Sequence, residues 1–359
     1  MISPGKTNWG TSASPAWSGT RRLRASNHDE TDVTLSIMAE AISVRRSLYT
    51  TQPSWCSYQG VTCGSVPGSE LYASVLSINI ASSSLMGTLP IEIGNFRNLT
   101  MLDISSNSIY GNIPSSLTLM TSLVDINLGI NSIEGMIPMD VGNFKSLTSL
   151  SIGRNRLTGT VPTSIGLLSS LRVLDYNSNK LVNIPSELAS LPSLEVIAAY
   201  YNRITGTIPT SIYTMSGLTG LYIGSNSITG TISTAVSNMV SLKSLILDNN
   251  NLRGTIPSTI VTMTQLIRFD AYQNSLIGTI PSNMYLLTAL TQLDLKENYL
   301  SMGGESSLPT STFSAATRGG TLILSSNCIN YYSPVPGQTV LANRCLSGML
   351  TKIENMHVT

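Results

Sequence analysis

One spacing recurs along most of the chain and constrains the fold more than any other feature. It is first complete in LTMLDISSNSIYGNIP, Leu99 to Pro114, which follows the pattern L-x-x-L-x-L-x-x-N-x-L-x-G-x-I-P. The asparagine position is Ser83 in the preceding copy and is then occupied by Asn107, Asn131, Asn155, Asn179, Asn202, Asn226, Asn250, Asn274 and Asn298. The step is 24 residues, except for one of 23 between Asn179 and Asn202. Self-similarity at this period predicts a solenoid of stacked coils.

Each repeat begins with the pattern of a short strand and a turn. Leu102 and Ile104 alternate with polar residues, which indicates a strand with one buried face. We expect Asn107 to turn the chain, with its amide satisfying backbone groups and stacking on the amide of the next coil. Gly111 allows a bend, and Pro114 ends the local pairing because it lacks an N–H.

The remainder of each period is expected to return across the convex side of the solenoid. In the copy that begins at Leu99, this return places Leu117 and Met120 toward the interior. No single coil can bury its own leucines, so stability must come from stacking on neighbouring coils. Ten coils and a final TLILSSN, Thr321 to Asn327, predict a curved stack roughly 50 Å long at about 4.8 Å per parallel strand.

A second signature follows the asparagine turn in most copies. It reads G-x-I-P or a close variant and begins at Gly87, Gly111, Gly135, Gly159, Gly206, Gly254 and Gly278, whereas Gly230 begins GTIS. These residues resemble the plant-type leucine-rich repeat over about two thirds of the chain. The resemblance extends to receptor-like kinase ectodomains and to polygalacturonase-inhibitor-like proteins. It implies an α/β repeat solenoid, a right-handed leucine-rich repeat superhelix with a parallel concave β-sheet and caps at both ends.

The composition of the chain divides it into four segments. Residues 1–30 are rich in Ser, Gly, Pro and Thr and predict a disordered tail. Residues 31–74 predict an N-terminal cap that begins with a short helix, and residues 75–301 contain the repeats. Residues 302–359 contain a loop insertion, a last partial repeat and a C-terminal cap. Caps are needed because the end coils would otherwise expose strand edges and leucines to water.

All four cysteines fall in the two cap segments. The segment SWCSYQGVTC, Ser54 to Cys63, resembles the N-terminal cap of plant leucine-rich repeat ectodomains, and the C-terminal cysteines resemble those of the opposite cap. The resemblance implies disulfides within the pairs Cys56 and Cys63, and Cys328 and Cys345. A metal site is the rival interpretation, but both histidines, His28 and His357, lie in the tails. Disulfides would indicate an oxidising compartment.

Composition excludes several classes of partner. The formal net charge is +1 and only 11% of the residues are charged, so there is no basic surface for nucleic acid. No apolar run approaches the roughly 20 residues of a membrane span. No secretory signal is readable at the N-terminus, although the cysteines favour an extracellular or cell-surface protein. Asn98 begins the only N-x-S/T sequon and is a candidate glycosylation site.

The variable positions of the predicted concave face become larger after the third coil. Tyrosine and arginine with nearby carboxylates are typical of binding hot spots. The candidate ligand-binding residues are Arg154, Asp175, Tyr200, Tyr201, Tyr222, Asp248, Arg268, Asp270 and Tyr272, and Asn177, Lys296 and Glu297 lie in neighbouring concave positions. The alternative is structural, because tyrosines on a sheet often pack across strands and Asp/Arg neighbours often form a solvated ladder.

The sequence offers little for an enzyme. Its repeats lack histidine and cysteine, and no cofactor or metal motif is present. Asp248 and Asp270 could form a carboxylate pair, but we expect them on an open face that admits water. Threonines after the glycine form a regular series that could bind ice as a remote alternative: Thr88, Thr160, Thr207, Thr231, Thr255 and Thr279.

These observations favour a non-catalytic recognition protein, extracellular or at the cell surface. It would bind a protein or glycan on its concave face, and a co-receptor is a further candidate partner. A soluble inhibitor of a secreted enzyme and a surface-coat protein are the alternatives. The ligand cannot be inferred from the fold class alone.

Overall fold

The computed structural model describes residues 59–65, 73–301 and 321–323, and its main element is a sheet of twelve strands on the concave side. The first two strands pair antiparallel, and every later strand pairs in parallel with the strand of the next coil. The strands are Val61–Ser65, Ala73–Asn79, Met101–Asp103, Asp125–Asn127, Ser149–Ser151, Val173–Asp175, Val196–Ala198, Gly220–Tyr222, Ser244–Ile246, Arg268–Asp270, Gln292–Asp294 and Thr321–Ile323. The predicted solenoid with a parallel concave sheet is confirmed.

A second, lateral series of strands follows the asparagine turns. Five form one parallel sheet, Met86–Thr88, Ser108–Asn112, Ser132–Gly135, Arg156–Gly159 and Lys180–Leu181, and three form another, Arg253–Gly254, Ser275–Thr279 and Tyr299–Ser301. The first lateral sheet ends with Lys180–Leu181, which lies in the repeat that is one residue short and lacks its glycine. In that coil Asn183 bonds to the preceding coil, accepting from the Val161 N–H at 2.8 Å through Oδ1. A side chain therefore extends the pairing with the preceding coil beyond the last lateral strand of this sheet.

The convex return segments are short 3₁₀ helices. They are Ile91–Asn95, Ser115–Leu119, Val141–Asn143, Thr163–Leu167, Ser186–Ser190, Thr210–Thr214, Thr234–Asn238, Ser258–Thr262 and Ser282–Leu286. Most follow the proline of the G-x-I-P segment, whose fixed φ prepares the first turn. In the coil without that proline, Ser233 Oγ accepts from the Ala235 N–H at 3.1 Å. The helical part of the expected α/β architecture therefore consists of 3₁₀ helices in the described coils. The helical segment on the convex side has only about five residues, a length typical of 3₁₀ helix.

The interior is a continuous column of aliphatic side chains. Leu102, Ile104 and Met120 have no exposed surface, and Leu117 is 2% exposed, which confirms the inward positions expected for this coil. Equivalent positions in later coils are also buried, including Tyr176, which occupies a leucine position. Each coil therefore buries its apolar residues against its neighbours.

The turn asparagines bond to the backbone and join adjacent coils. Asn131 Nδ2 donates to Ile104 O of the preceding coil at 3.0 Å and to Leu128 O of its own coil at 3.1 Å. Its Oδ1 accepts from the Ile109 N–H at 3.0 Å. The prediction that the asparagine amide satisfies backbone groups is confirmed. The bonds between coils join the side-chain amide to backbone groups of the neighbouring coil, and not one side-chain amide to the next.

Several sequence expectations fall partly or wholly outside the described residues. Cys63 lies in the first strand and is disulfide-bonded. Cys56, Cys328 and Cys345 lie outside the described ranges, as do the N-terminal tail, most of the N-terminal cap and all of the terminal segment except residues 321–323. The pairing of the cysteines and the domain boundaries therefore remain predictions. Within the described ranges, no helix is long and apolar enough to cross a membrane.

Candidate functional site

The concave face is most varied in coils 4 to 10, where coil 1 carries Ser83 and coils 2 to 10 carry the asparagines from Asn107 to Asn298. Parallel register aligns equivalent residues of successive coils into rows, as Asp175, Ala198, Tyr222 and Ile246 show. The residue before each turn asparagine has a positive φ, and this group includes Arg154 at 55° and Tyr201 at 54°. Such residues lie three residues beyond the end of the concave strand, at the asparagine turn.

The first group of candidate residues lies in coils 4 to 7. The rings of Tyr200 and Tyr201 meet edge to face with centroids 5.7 Å apart and planes inclined by 70°. Burial raises the pKa of Tyr200, and the negative charge of Asp175 raises it further, whereas Arg154 opposes the shift. Tyr222 also lies within electrostatic range of Tyr200. These five candidates therefore form one contiguous surface.

Asn177 holds Asp175 in this group. The Asn177 N–H and Nδ2 donate to Asp175 Oδ1 at 3.0 and 2.5 Å. Burial raises the pKa of Asp175, and these two hydrogen bonds and Arg154 act in the opposite direction. Asn177 is itself buried, and its Oδ1 has no hydrogen-bond partner among the described residues. Asn177 therefore fixes the orientation of the Asp175 carboxylate.

Two glycines of coil 7 allow their neighbours to lie flat on the sheet. A Cβ on Gly220 would lie 2.5 Å from Cε2 of Tyr222, so the tyrosine ring lies over this glycine. Asp248 lies over Gly224 in the same way. These glycines were not among the residues predicted from the sequence, although glycine at a concave strand position is a signal that could have identified them.

The second group lies in coils 8 to 10. Asp248 and Tyr272 are joined by a side-chain hydrogen bond, and the Lys296 Nζ lies 4.7 Å from the centroid of the Tyr272 ring. Arg268 contacts Asp270 Oδ2 through Nε at 2.7 Å and through Nη2 at 2.5 Å. The Tyr272 hydroxyl is also within electrostatic range of Tyr201, which links the two groups. All four tyrosines thus belong to one surface, the tyrosine patch: Tyr200, Tyr201, Tyr222 and Tyr272.

The expectation that Asp248 and Asp270 lie open to water is wrong. Asp248 is 8% exposed and Asp270 only 1% exposed, because Arg268 and Tyr272 pack over and bond to them. Burial raises the pKa of both carboxyls, and for Asp270 the Arg268 guanidinium opposes the shift. Asp270 Oδ1 is buried and accepts no hydrogen bond from any described residue.

Two further residues of this group were missed from the sequence. Gln292 Nε2 donates to Asp270 Oδ2 at 3.3 Å, and Asp294 pairs with Lys296 at 3.9 Å. Both occupy concave positions of QLDL in coil 10, and the periodic pattern could have identified them. Among the described residues, no cluster of three His, Cys, Asp or Glu side chains is arranged to hold a metal ion.

Asn98 lies at the entry to a concave strand, away from the tyrosine patch. Its side chain is exposed, and Nδ2 donates to Ser74 Oγ at 2.9 Å. Glycosylation at this position stays a prediction.

Comparison with known proteins agrees with the repeat geometry. Family models described as leucine-rich repeats match residues 98–120, 145–204 and 200–252. The chain folds as a leucine-rich repeat solenoid. A curated relative, the LRR receptor-like serine/threonine-protein kinase GSO2 of Arabidopsis thaliana, is 39% identical over 66 residues, which are 18% of this chain and 5% of that protein.

Solved structures extend the likeness to receptor ectodomains. The plant peptide hormone receptor RGFR1, solved in complex with RGF2, is 34% identical with a TM-score of 0.65 and covers 68% of this chain and 39% of the receptor chain. The Arabidopsis receptor kinase HAESA, solved with the peptide hormone IDA and the co-receptor SERK1, is 28% identical with a TM-score of 0.64. That match covers 84% of this chain and 54% of the HAESA chain. The solenoid thus spans about half or less of each receptor chain.

A plant ice-binding protein shares the fold with 20% identity and a TM-score of 0.62, covering 87% of this chain and 98% of that chain. Identity this low shows the fold alone. In this chain, the methyl groups of Thr207, Thr231 and Thr255 pack over the glycine of the following coil. The threonines are exposed, but their regular packing is explained by the glycine turn.

Proposed function

We propose that this chain is a non-catalytic recognition module that binds a peptide or protein ligand on the concave face of coils 4 to 10. The tyrosine patch carries the proposal, because it places four tyrosines from three coils on one surface. Tyr201 is 55% exposed, and the others retain partial exposure, so their rings are available for contact. Tyrosine provides large contact area at low entropic cost and retains a polar hydroxyl.

The likeness to receptor ectodomains supports the class of ligand. Two of the similar structures are receptors solved with peptide hormones. By analogy, we infer an extracellular or cell-surface location and a peptide as the ligand, with a co-receptor as a further partner. A glycan ligand, a soluble enzyme inhibitor and a surface-coat role have no separate observation in their favour.

A recognition role also agrees with the chemistry of the concave face. Its buried carboxylates are engaged by Arg268, Gln292, Tyr272 and Lys296, or by Asn177. The surface orients hydrogen-bonding and aromatic groups toward a ligand. We therefore propose binding without chemical conversion.

Affinity capture tests the proposal. The full chain and a Tyr200→Ala/Tyr222→Ala/Tyr272→Ala variant would be immobilised and exposed to an extracellular extract, and bound peptides identified by mass spectrometry. We expect the wild type to retain peptides that the variant binds at least tenfold less. The matched control is Tyr110→Ala, because Tyr110 is an exposed tyrosine of a lateral strand outside the patch. Equal capture by all three proteins would refute the tyrosine patch as the binding surface.

A further inference from the structure

The outward positions of the concave strands change in polarity along the solenoid. In each strand, two outward residues flank one inward residue, and the parallel register aligns them from coil to coil. In coils 1 to 4 only Met101 among these outward residues is apolar, and in coils 9 and 10 none is. In coils 5 to 8 the same positions are apolar or glycine, except for Asp175 and Ser244. We call this central stretch the apolar floor: Val173, Val196, Ala198, Gly220, Tyr222 and Ile246.

The apolar floor is lowest at coil 6. Val196 and Ala198 point out of the sheet on either side of the inward Ile197, yet they are only 9% and 7% exposed. Larger side chains of the neighbouring coils therefore rise beside them. The ring of Tyr222 adds apolar surface because it lies over Gly220. An apolar centre within a polar rim is the usual anatomy of a binding interface, in which the centre loses its water and the rim keeps it.

Asp175 lies at one end of the apolar floor with an oriented carboxylate. It is the register neighbour of Ala198. Both hydrogen bonds from Asn177 end on Oδ1, and no residue in the described ranges bonds to Oδ2. Arg154 lies within electrostatic range of Asp175 and would repel a second cation at this position. A neutral N–H donor is therefore favoured at Oδ2, and the backbone of a peptide supplies one at every residue except proline.

We propose that the ligand contacts coils 5 to 8 through an uncharged stretch of extended peptide, with apolar side chains on the floor and a backbone N–H on Asp175 Oδ2. This inference rests on the proposed function, that the concave face binds a peptide. The side chains stabilise the complex by removing apolar surface from water. The N–H bond to a charged oxygen fixes the position of the peptide along the solenoid.

The length of the apolar floor predicts the spacing of these side chains. Coils 5 to 8 are separated by three steps, which span about 14 Å at roughly 4.8 Å per step. In an extended peptide that lies along the solenoid axis, each residue advances roughly 3.3 Å and alternate side chains share a face. Positions i, i+2 and i+4 span about 13 Å and therefore fit the floor, whereas positions i+1 and i+3 point away from it.

Selection from a displayed library of random nonapeptides tests this spacing. The immobilised full chain would be the target, and bound peptides would be sequenced. We expect about tenfold enrichment of peptides with apolar residues at i, i+2 and i+4 over those with apolar residues at consecutive positions, and no selection at i+1 and i+3. Apolar enrichment without this spacing, or selection of charged residues at the alternate positions, would overturn the inference.

Threonine substitutions test whether the floor itself makes the contact. Threonine keeps the branched shape of valine but adds a hydroxyl, so Val173→Thr/Val196→Thr makes the floor more polar without widening it. This variant should bind the selected peptides about tenfold more weakly. The control Val182→Thr/Val240→Thr makes the same exchange at exposed valines outside the concave sheet and should bind like the wild type. Equal affinities of the two variants would contradict a role for the floor, and their melting temperatures show whether both remain folded.

Backbone methylation of a selected peptide tests the contact with Asp175 and leaves the floor unaltered. Each N–H of the peptide would be replaced in turn by N–CH₃, and affinity would be measured for the wild type and for Asp175→Ala. At one position, methylation should weaken binding to the wild type about tenfold and binding to Asp175→Ala less than about twofold. The same pattern of losses with both proteins would refute Asp175 as the acceptor.

The tyrosine variant distinguishes failure of this inference from failure of the proposed function. If the selected peptides lack the alternate apolar pattern but are lost on Tyr200→Ala/Tyr222→Ala/Tyr272→Ala, the concave site stands and this inference fails. If they bind that variant and the wild type equally, the proposed concave site fails as well.

Sedimentation tests a second copy of the chain as the occupant of the floor. We expect the full chain to sediment as a monomer at micromolar concentration. A dimer that Val173→Thr/Val196→Thr abolishes would assign the floor to self-association and overturn the peptide ligand.

Discussion

At the scale of single residues, the turn asparagines stabilise the stack most directly. Asn250 is 8% exposed, and its Nδ2 donates to the carbonyls of Ile223, Leu247 and Asp248 at 3.0 to 3.1 Å. Its Oδ1 accepts from the Ile228 N–H at 2.9 Å. One side chain thus satisfies backbone groups in two coils, which would otherwise be buried without partners.

Asn250→Ala should therefore lower the free energy of unfolding by about 3 kcal/mol, because it leaves several buried polar groups without partners. Urea unfolding followed by circular dichroism would measure the change. Asn251→Ala is the matched control, since Asn251 is the exposed neighbour, and its effect should stay within about 0.5 kcal/mol. A similar loss in both variants would contradict the bridging role.

At the scale of the element, the lateral strands depend on a glycine turn. Gly230 has a φ of 86°, and a Cβ at this position would lie 2.8 Å from the methyl group of Thr207 in the preceding coil. The glycine satisfies two requirements together, the left-handed backbone and the close approach of Thr207. Where coil 5 lacks its glycine, the lateral sheet ends.

Gly230→Ala should lower the unfolding free energy by about 1–2 kcal/mol, from left-handed backbone strain and from displacement of Thr207. Gly217→Ala is the control, because no atom lies within 4 Å of its added Cβ and its φ is not in the left-handed region. The control should be neutral or slightly stabilising. Thermal and urea midpoints would measure both, and equal destabilisation would refute this account of the turn.

At the scale of the whole molecule, the concave face concentrates partly buried carboxyls. Burial raises the pKa of Asp125, Asp175, Asp248, Asp270 and Asp294 above the ordinary value of 3.8. In each case the unfolded chain ionises first as pH rises. These groups therefore lower the stability of the fold as pH increases from about 3.8 to their folded pKa values, and the loss levels off above them.

Asp248→Asn should reduce this pH dependence. The amide oxygen can still accept the Tyr272 hydrogen bond, whereas the cost of a buried charge is removed. Compared with the wild type, the variant should gain stability at pH 7 relative to pH 4, measured as the difference between the two melting temperatures. Asp140→Asn, at an exposed position preceding a convex helix, provides the control. An equal gain in the control would contradict an effect of concave burial.

The repeat period was sufficient to predict the solenoid, its parallel sheet and the inward positions of Leu117 and Met120. It also placed the candidate residues in concave positions, because strand alternation and coil register follow from spacing alone. It could not predict that Asp270 would be covered by Arg268, or that Tyr222 would lie over Gly220. Those arrangements depend on side-chain conformations between coils, which periodicity does not specify.

Photo-crosslinking tests most directly the central claim, that the tyrosine patch binds the ligand. p-Benzoylphenylalanine would replace Tyr201 in one protein and Leu167 in another, since these side chains are similarly exposed at 55% and 58% and Leu167 lies on the convex side. Each protein would be irradiated with the peptides that the wild type captures from extracellular extract. The account predicts strong crosslinks from position 201 and few from position 167. Equal crosslinking at both positions, or crosslinking confined to position 167, would contradict it.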